Sequence, residues 1–476
     1  MRTAEKLNNN VNEDLIKICI NFSRRMDASE AKNYVLSLIF YKFLSEKEEK
    51  FLETREDIQN EKNISINELG YYIDPQFLFD KIASNENMIE DLKSSFKSFN
   101  ENSNCIFEDI FENIDFDSNR LNINELKILV NKMSKISFID EDSNITNTFE
   151  YLIRYYSINE GKRSGEYYTP SEISQILARI VSNAKENVEA VYDPTCGSCS
   201  SLIEVNDEVK VNDIYGQELN PSTYRLGKMN LLIHELEFKN LHIKNGNALE
   251  SPSFMDKKFD AIVANPPFSA RWSYDSKFRE DPRFNGLGGL APKTKADYAF
   301  IQDMLYHLDE NGIMATIIPH GVLFRGGQDG RIRKYLIEKK NYLDTVIGLP
   351  ANIFYGTSIP TCILVFKKER NTKDVLFIDA SREFETLKRY QNYLSKENID
   401  KIIETYNKRE EIKKYSHIAS FEEIVKNDFN LNIARYVDTY EPEKIREIKE
   451  IYLDIKKVNE RINEINEEIN EKLSEI

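Results

Sequence analysis

Between about residues 155 and 385, short apolar, β-branched runs alternate with helical segments, and few folds accommodate that alternation. The runs are Val188 to Tyr192, Val209 to Tyr215, Phe259 to Ala264, Gly312 to Ile318, Leu343 to Ile347, Cys362 to Phe366 and Val375 to Ile378. Strands separated by helices pair in parallel, because a parallel neighbour is reached only through a long crossover. The expected fold class is α/β: a mainly parallel twisted sheet with helices on both faces. In such sheets ligands bind beyond the carboxyl ends of the strands, and the main motifs follow those ends.

Residues 1–150 read as an N-terminal all-α domain. Asp27 is a candidate N-cap with Glu30 three residues on, and Val35, Leu38, Ile39 and Tyr41 to Leu44 supply a broad apolar face. Residues 151–385 read as the catalytic α/β domain and 386–476 as a C-terminal helical region ending in a heptad helix, 443–476. There Ile448, Ile451, Ile455, Val458, Ile462, Ile465 and Ile469 alternate spacings of three and four, and Leu473 and Ile476 extend the stripe after one slip. A heptad seam needs a partner helix. That partner is either the chain's own helices or another chain; little apolar surface precedes the stripe locally, which favours another chain.

The 476 residues include 64 basic and 80 acidic side chains, a formal charge of −16. Phosphate neutralisation dominates nucleic-acid affinity. A chain this acidic therefore grips DNA or RNA only through a local basic patch or a more basic partner. No apolar run approaches the roughly 18 residues of a membrane helix, and Met1 to Lys6, then Leu7 and a run of Asn, hold no apolar signal region. Five cysteines make no disulfide framework. The expectation is a cytoplasmic protein without membrane contact.

The sharpest motif is Asn265-Pro266-Pro267-Phe268, directly after the run Phe259 to Ala264. An exocyclic amine on a planar ring is a poor nucleophile because its lone pair is delocalised. Two acceptors around the NH₂ group, the Asn265 side-chain carbonyl and the Pro266 backbone carbonyl, draw the nitrogen toward tetrahedral geometry. The prolines fix φ and stiffen the loop, and Phe268 offers a face for an extruded base. An isolated Asn-Pro-Pro-Phe reads equally well as a rigid turn; the preceding strand and the motifs below favour chemistry.

The second motif is Asp193-Pro194-Thr195-Cys196-Gly197-Ser198-Cys199-Ser200, after another apolar run. Small residues there let a cofactor approach the backbone. Some 25 residues after Asp193, Glu218 closes the next strand, placed to bind two ribose hydroxyls. Cys196-X-X-Cys199 also fits a redox pair or half a zinc site, but no second CxxC exists and no His lies near in sequence. No metal is expected. The third motif, Arg163 to Ser171, precedes a helix expected over Glu172 to Ser182, with Thr169 as its cap and Pro170 at its first position.

Together these motifs resemble those of the γ-class amino-methyltransferases that use S-adenosylmethionine. More closely, the chain is similar to the modification subunits of Type I restriction-modification systems. Met26 to Ser29, Ala296 to Gln302, Pro319 to Gly327 and Leu349 to Phe354 also match that family. The resemblance covers nearly the whole chain, most loosely between about 50 and 145 and after 385. It implies the S-adenosylmethionine-dependent methyltransferase fold and N6-adenine methylation of DNA. It also implies a complex in which two modification subunits flank one specificity subunit, which a restriction subunit can join. By position, Glu166, Tyr167, Tyr168, Thr169, Pro170 and Ser171, with Gly197, Ser198 and Cys199, would contact the methionine part of the cofactor. Asp193 and Glu218 would complete that site, Glu218 on the ribose, and Asn265 to Phe268 would hold the target adenine. Two departures stand out. The glycine often found at 199 is Cys199, and an acid often found near 247 is Asn247, whose carbonyl would take over the cofactor's adenine amine.

The acidic balance then implies that sequence reading is delegated to another subunit. Ser269 to Ala296 is locally basic, with Arg271, Lys277, Arg279, Arg283, Lys293 and Lys295 against three acids. That segment is expected to be a mobile lid on the DNA backbone, or else a solvated loop. A protein-glutamine or RNA N-methyltransferase is the main rival, since a glutamine amide poses the same NH₂ problem. Such enzymes are usually shorter and lack this helical frame. A non-catalytic scaffold is disfavoured by the intact Asn265 to Phe268, and a fused nuclease cannot be read from a chain so rich in Lys and Glu.

Overall fold

The computed structural model describes residues 11–24, 26–54, 60–112, 114–140, 143–160, 169–183, 185–354, 357–388, 391–439 and 448–474. Eleven strands occur among them: β1 Asn187–Asp193, β2 Lys210–Glu218, β3 Leu241–Asn245, β4 Phe259–Ala264, β5 Leu308–Pro319, β6 Leu343–Gly348, β7 Thr361–Lys367, β8 Val375–Asp379, β9 Glu385–Lys388, β10 Gln391–Tyr393 and β11 Ser416–Ala419. Nine form one sheet in the order β11-β8-β6-β7-β5-β4-β1-β2-β3. From β3 to β5 every pairing is parallel, while β7 lies antiparallel between β5 and β6. The central strands read as near-continuous apolar runs because both faces are covered. β6 is buried throughout and β4 at every position but Asp260.

β1 is the switch point. The chain leaves it toward β2 and β3 on one side, and β4 and β5 lie on the other. Register places Asp193 beside Gly216 and Glu218 beside Asn245. The carboxyl ends of β1, β2, β3 and β4 therefore open into one crevice, the location this topology favours for a ligand.

The N-terminal residues are helical, as expected. Asp27 caps the helix Ala28–Glu53 through the Ser29 N–H (3.0 Å); Glu30 pairs with Arg120 at 2.6 Å. Tyr41, Phe96, Phe99 and Phe111 form its aromatic centre, Phe96 and Phe111 stacked 4.3 Å apart. These helices and the sheet belong to one compact unit ending at Val437. A boundary at 385 is corrected: β9 begins at that residue, β10 and β11 follow, and β11 pairs with β8 in the main sheet. The second unit contains the helix Ile448–Ser474. Ile451, Ile455, Val458, Ile462, Ile465 and Ile469 on it are 42–58 % exposed. Ile476 and residues 443–447 lie outside the described residues. Among the described residues no helix is long and apolar enough to cross a membrane.

Candidate functional site

A cavity of about 370 Å³ opens at the carboxyl ends of β1, β2 and β4. Asp193, Gly197, Ser198, Glu218, Asn247, Asn265, Pro266 and Pro267 all line it, together with Thr169 and Arg271. Five separate stretches of sequence, around 169, 193–198, 218, 247 and 265–271, thus meet at one place. Glu166, Tyr167 and Tyr168 lie outside the described residues. Pro170, Ser171, Cys199 and Phe268 do not line the cavity.

Asn265 leaves β4 with its amide oriented. Its Nδ2 donates to Thr169 Oγ1 at 3.0 Å. Its Oδ1 is buried and accepts no hydrogen bond from the described residues. An unmet buried acceptor costs about 1–3 kcal/mol, so this carbonyl is poised for an incoming N–H. Thr169 does not cap the following helix, which corrects that expectation. The helix is Ser171–Val181, Pro170 is its N-cap and contributes no side-chain bond, and the Thr169 hydroxyl is turned to Asn265.

Three sequence stretches beyond the loop brace it. Ser269, just after Phe268, sits at φ 52°, a conformation that costs a non-glycine residue of order 1 kcal/mol. Its N–H donates to Asp297 Oδ1 (2.8 Å), and Arg325 holds the other Asp297 oxygen at 2.5 Å. Phe354 meets Phe268 edge to face, centroids 5.7 Å apart. The stretches 296–302, 319–327 and 349–354 are therefore the frame of the Asn265–Phe268 loop.

The Asp193 loop is held by Glu218. The Glu218 carboxylate accepts from the Gly197 N–H (3.0 Å) and the Asn220 N–H (2.7 Å). It thereby fixes both the loop and its own place in the cavity wall. Cys199 lies at φ 62°, the left-handed region that favours glycine. Its thiol fits because position 227 is glycine: a Cβ there would stand 2.7 Å from Cys199 Sγ. Cys196 likewise packs on Gly216, where a Cβ would come within 2.9 Å of its Sγ. Cys199 is thus a buried spacer beneath the loop and not a wall of the cavity.

Burial pushes the Asp193 carboxyl up to about 7; the charge of Glu218 adds to this and the hydrogen bonds from Thr195 oppose it. The sign follows. The folded chain holds a proton that the unfolded chain releases near pH 4, so ionised Asp193 opposes folding, increasingly from about pH 4 to 7. A cationic ligand end selects the ionised form. Its affinity is expected to fall by up to about tenfold per pH unit below 7 and to be flat above it. Calorimetric titrations from pH 5.5 to 8.5 check this, and Asp193→Asn should remove the slope.

Asn247 corrects a second expectation. Its Oδ1 accepts from the Leu249 N–H (3.0 Å) and the Glu250 N–H (3.3 Å), closing the turn after β3. That carbonyl is spent on the turn, so it does not take over the acceptor role toward a ligand amine. An aspartate would keep the turn with one oxygen and leave the other free. Asn247→Asp is therefore expected to tighten cofactor binding by about three- to tenfold, the worth of one hydrogen bond. Unchanged affinity in a calorimetric titration would count against this geometry.

The basic segment is not a loose lid. Trp272, Phe278, Phe284, Leu287 and Leu290 bury in the core that covers one sheet face. Trp272 Nε1 donates to the Pro292 carbonyl (3.0 Å), and Gln302 Nε2 donates to those of Leu287 and Gly289. Arg271, Lys277, Arg279 and Lys293 are exposed and Lys295 is half-buried. Arg283 is 1 % exposed, so it cannot reach DNA, and that expectation is corrected. Sequence reading also missed Lys32, Ile153 and Ser157, cavity-lining residues from the N-terminal helices, and Leu219, which follows Glu218 and is 64 % exposed. Only the nearness in sequence of the helix Ile145–Glu160 to the 163–171 motif hinted at Ile153 and Ser157.

Residues 140–445 match the N-6 DNA Methylase family and residues 11–136 match the HsdM N-terminal domain. The Type I restriction enzyme MpnII methylase subunit of Mycoplasma pneumoniae is 32% identical, the match covering 96% of this chain and 93% of that protein. The HindI methylase subunit of Haemophilus influenzae is also 32% identical, over 62% of this chain and 69% of that protein. A type I restriction-modification methyltransferase subunit from Streptococcus thermophilus superposes with a TM-score of 0.82 at 36% identity, covering 90% of this chain and 98% of that one.

Proposed function

The chain belongs to the N-6 DNA methylase family, among the methylase subunits of Type I restriction enzymes, and on that premise we propose how its cavity carries out adenine methylation. The residues present suit S-adenosylmethionine. The cavity has two carboxyl groups at adjacent strand ends, a glycine-containing loop between them and an apolar Leu219 beside Glu218. Glu218 would hold the ribose, Asp193 with Gly197 and Ser198 the methionine end, and the Asn247 to Leu249 turn the adenine side. Bound there, S-adenosylmethionine supplies an electrophilic methyl group whose leaving thioether is neutral.

The chain's own part is orientation. Asn265 Oδ1 accepts one hydrogen of the target amine and the Pro266 carbonyl accepts the other, which localises the nitrogen lone pair. Pro266 and Pro267 keep both acceptors in place before the substrate arrives. Phe268, braced by Phe354, offers its face to a base flipped out of the duplex. No strong base is required, because the proton departs to water after transfer. The single observation that carries this reading is Asn265: its amide nitrogen is committed to Thr169 and its buried oxygen has no hydrogen-bond partner among the described residues.

DNA would be met by Arg271, Lys277, Arg279 and Lys293. Four exposed cations do not overcome a charge of −16, so sequence reading falls to a separate specificity subunit. The exposed stripe of the helix Ile448–Ser474 is the surface offered to it, two of these chains to one specificity subunit. The test is methyl transfer from labelled S-adenosylmethionine to DNA by the chain alone and with that subunit, followed by nucleoside mass spectrometry. N6-methyladenine formed only with the subunit is expected; label in protein, RNA or cytosine would contradict the reading.

A further inference from the structure

We infer that Arg283 is a positioning residue that holds the cofactor-facing turn Asn247–Leu249 in place. The inference rests on the cavity reading above and names a residue that touches neither ligand.

All five N–H donors of the Arg283 guanidinium are engaged. Nη1 donates to the Ala248 carbonyl and to Asp303 Oδ1, both at 2.8 Å. Nη2 donates to the Leu249 carbonyl and to Asp281 Oδ2, again at 2.8 Å. Nε completes the set on Asp281 Oδ1 at 3.1 Å. Three stretches of chain meet on this one side chain: the segment after the catalytic loop, the helix Asp297–His307 through buried Asp303, and the turn after β3.

The two carbonyls decide the role. A buried arginine needs its charge answered, and Asp281 and Asp303 suffice for that. The bonds to consecutive carbonyls of Ala248 and Leu249 do something further. Both residues line the cavity beside Asn247, whose own side chain closes the same turn from within. The turn is thus clamped from the cavity side by Asn247 and from behind by Arg283. Only the planar fork of an arginine reaches two neighbouring carbonyls and two carboxylates together; a lysine has three donors on one atom. Loosening this clamp weakens the hold on the cofactor's nucleoside end and leaves the Asn265–Phe268 loop, pinned separately by Asp297, as it was.

The test uses the full chain as Arg283→Met, Arg283→Lys and the double variant Arg283→Met/Asp303→Leu. The double variant avoids leaving Asp303 buried without its partner, which alone destabilises. Calorimetry gives the Kd for S-adenosylmethionine and S-adenosylhomocysteine, and the assembled complex gives kcat and KM on DNA. In the folded double variant, Kd and the cofactor KM are expected to rise about tenfold, close to the 1.4 kcal/mol of a tenfold change. The kcat at saturating cofactor should stay within about threefold, and Arg283→Lys should fall between parent and Met. An unchanged Kd in the folded double variant overturns the inference. So does a fall in activity that tracks only the loss of folded protein. A parent chain that binds no S-adenosylmethionine overturns the cavity reading itself, and this inference with it.

Discussion

Asn265→Ala is expected to lower methyl transfer by about 10²–10³-fold, the usual cost of deleting one preorganised polar group that stabilises a transition state. The Kd for S-adenosylmethionine should stay within about twofold, because the proposed site holds its nucleoside and methionine ends on β1, β2 and the turn after β3. Asn265→Asp separates two explanations of such a loss. It keeps an acceptor, and the Thr169 hydroxyl can rotate to donate to it. Activity in the order Asn, Asp, Ala would identify the acceptor itself as what matters. Equal losses in both variants would point instead to the amide Nδ2, which donates to Thr169 at 3.0 Å and which neither variant retains. Single-turnover rates with saturating cofactor make the distinction.

Glu218→Ala is expected to produce the largest change in cofactor affinity, raising Kd about 100-fold or more. Two effects combine. In the proposed site the ribose loses its acceptor, and the Gly197 and Asn220 N–H groups lose theirs. Hydrogen bonds to a charged group contribute about 1.5–3 kcal/mol each, so the loop and the ligand are released together. Glu218→Gln retains one acceptor oxygen and should lie between. A Kd within about threefold of the parent in Glu218→Ala, measured by calorimetry, would remove Glu218 from the site.

Much of this was legible in the sequence for physical reasons. The central strands are buried on both faces, so they appear as apolar runs, and each of the seven expected runs is a strand. β3 and β11 escaped notice because they are short edge strands whose composition, Leu-His-Ile-Lys-Asn and Ser-His-Ile-Ala, carries little apolar signal. Motifs at strand ends announce themselves because each follows its strand directly. Roles that depend on distant partners do not. The count of charges over 269–296 treated Arg283 as surface, yet one of its two carboxylate partners, Asp303, lies outside that segment. Thr169 looked like a helix cap because Thr-Pro-Ser is a cap pattern, and only the proximity of Asn265 assigns its hydroxyl. The carbonyl of Asn247 appeared free because an Asx turn is not visible in spacing alone. Lys32 approaches the cavity from the helix Ala28–Glu53, and no local pattern links it to Asp193.

The frame around the Asn265–Phe268 loop also gives meaning to stretches that the sequence offered only as resemblances. Asp297 holds the Ser269 N–H, Arg325 holds Asp297, and Phe354 braces Phe268. Placing the acceptors is thus the work of residues spread from 169 to 354, which is why the four-residue motif alone says so little.

The most direct measurement is a genome-wide map of modified adenines in the source organism, comparing the native strain with one carrying Asn265→Ala. Loss of N6-methyladenine from one split, two-part motif is the predicted result, since it reports both the chemistry at Asn265 and a separate subunit that reads the DNA. An unchanged map, in a strain shown to express the protein, would contradict the central assignment.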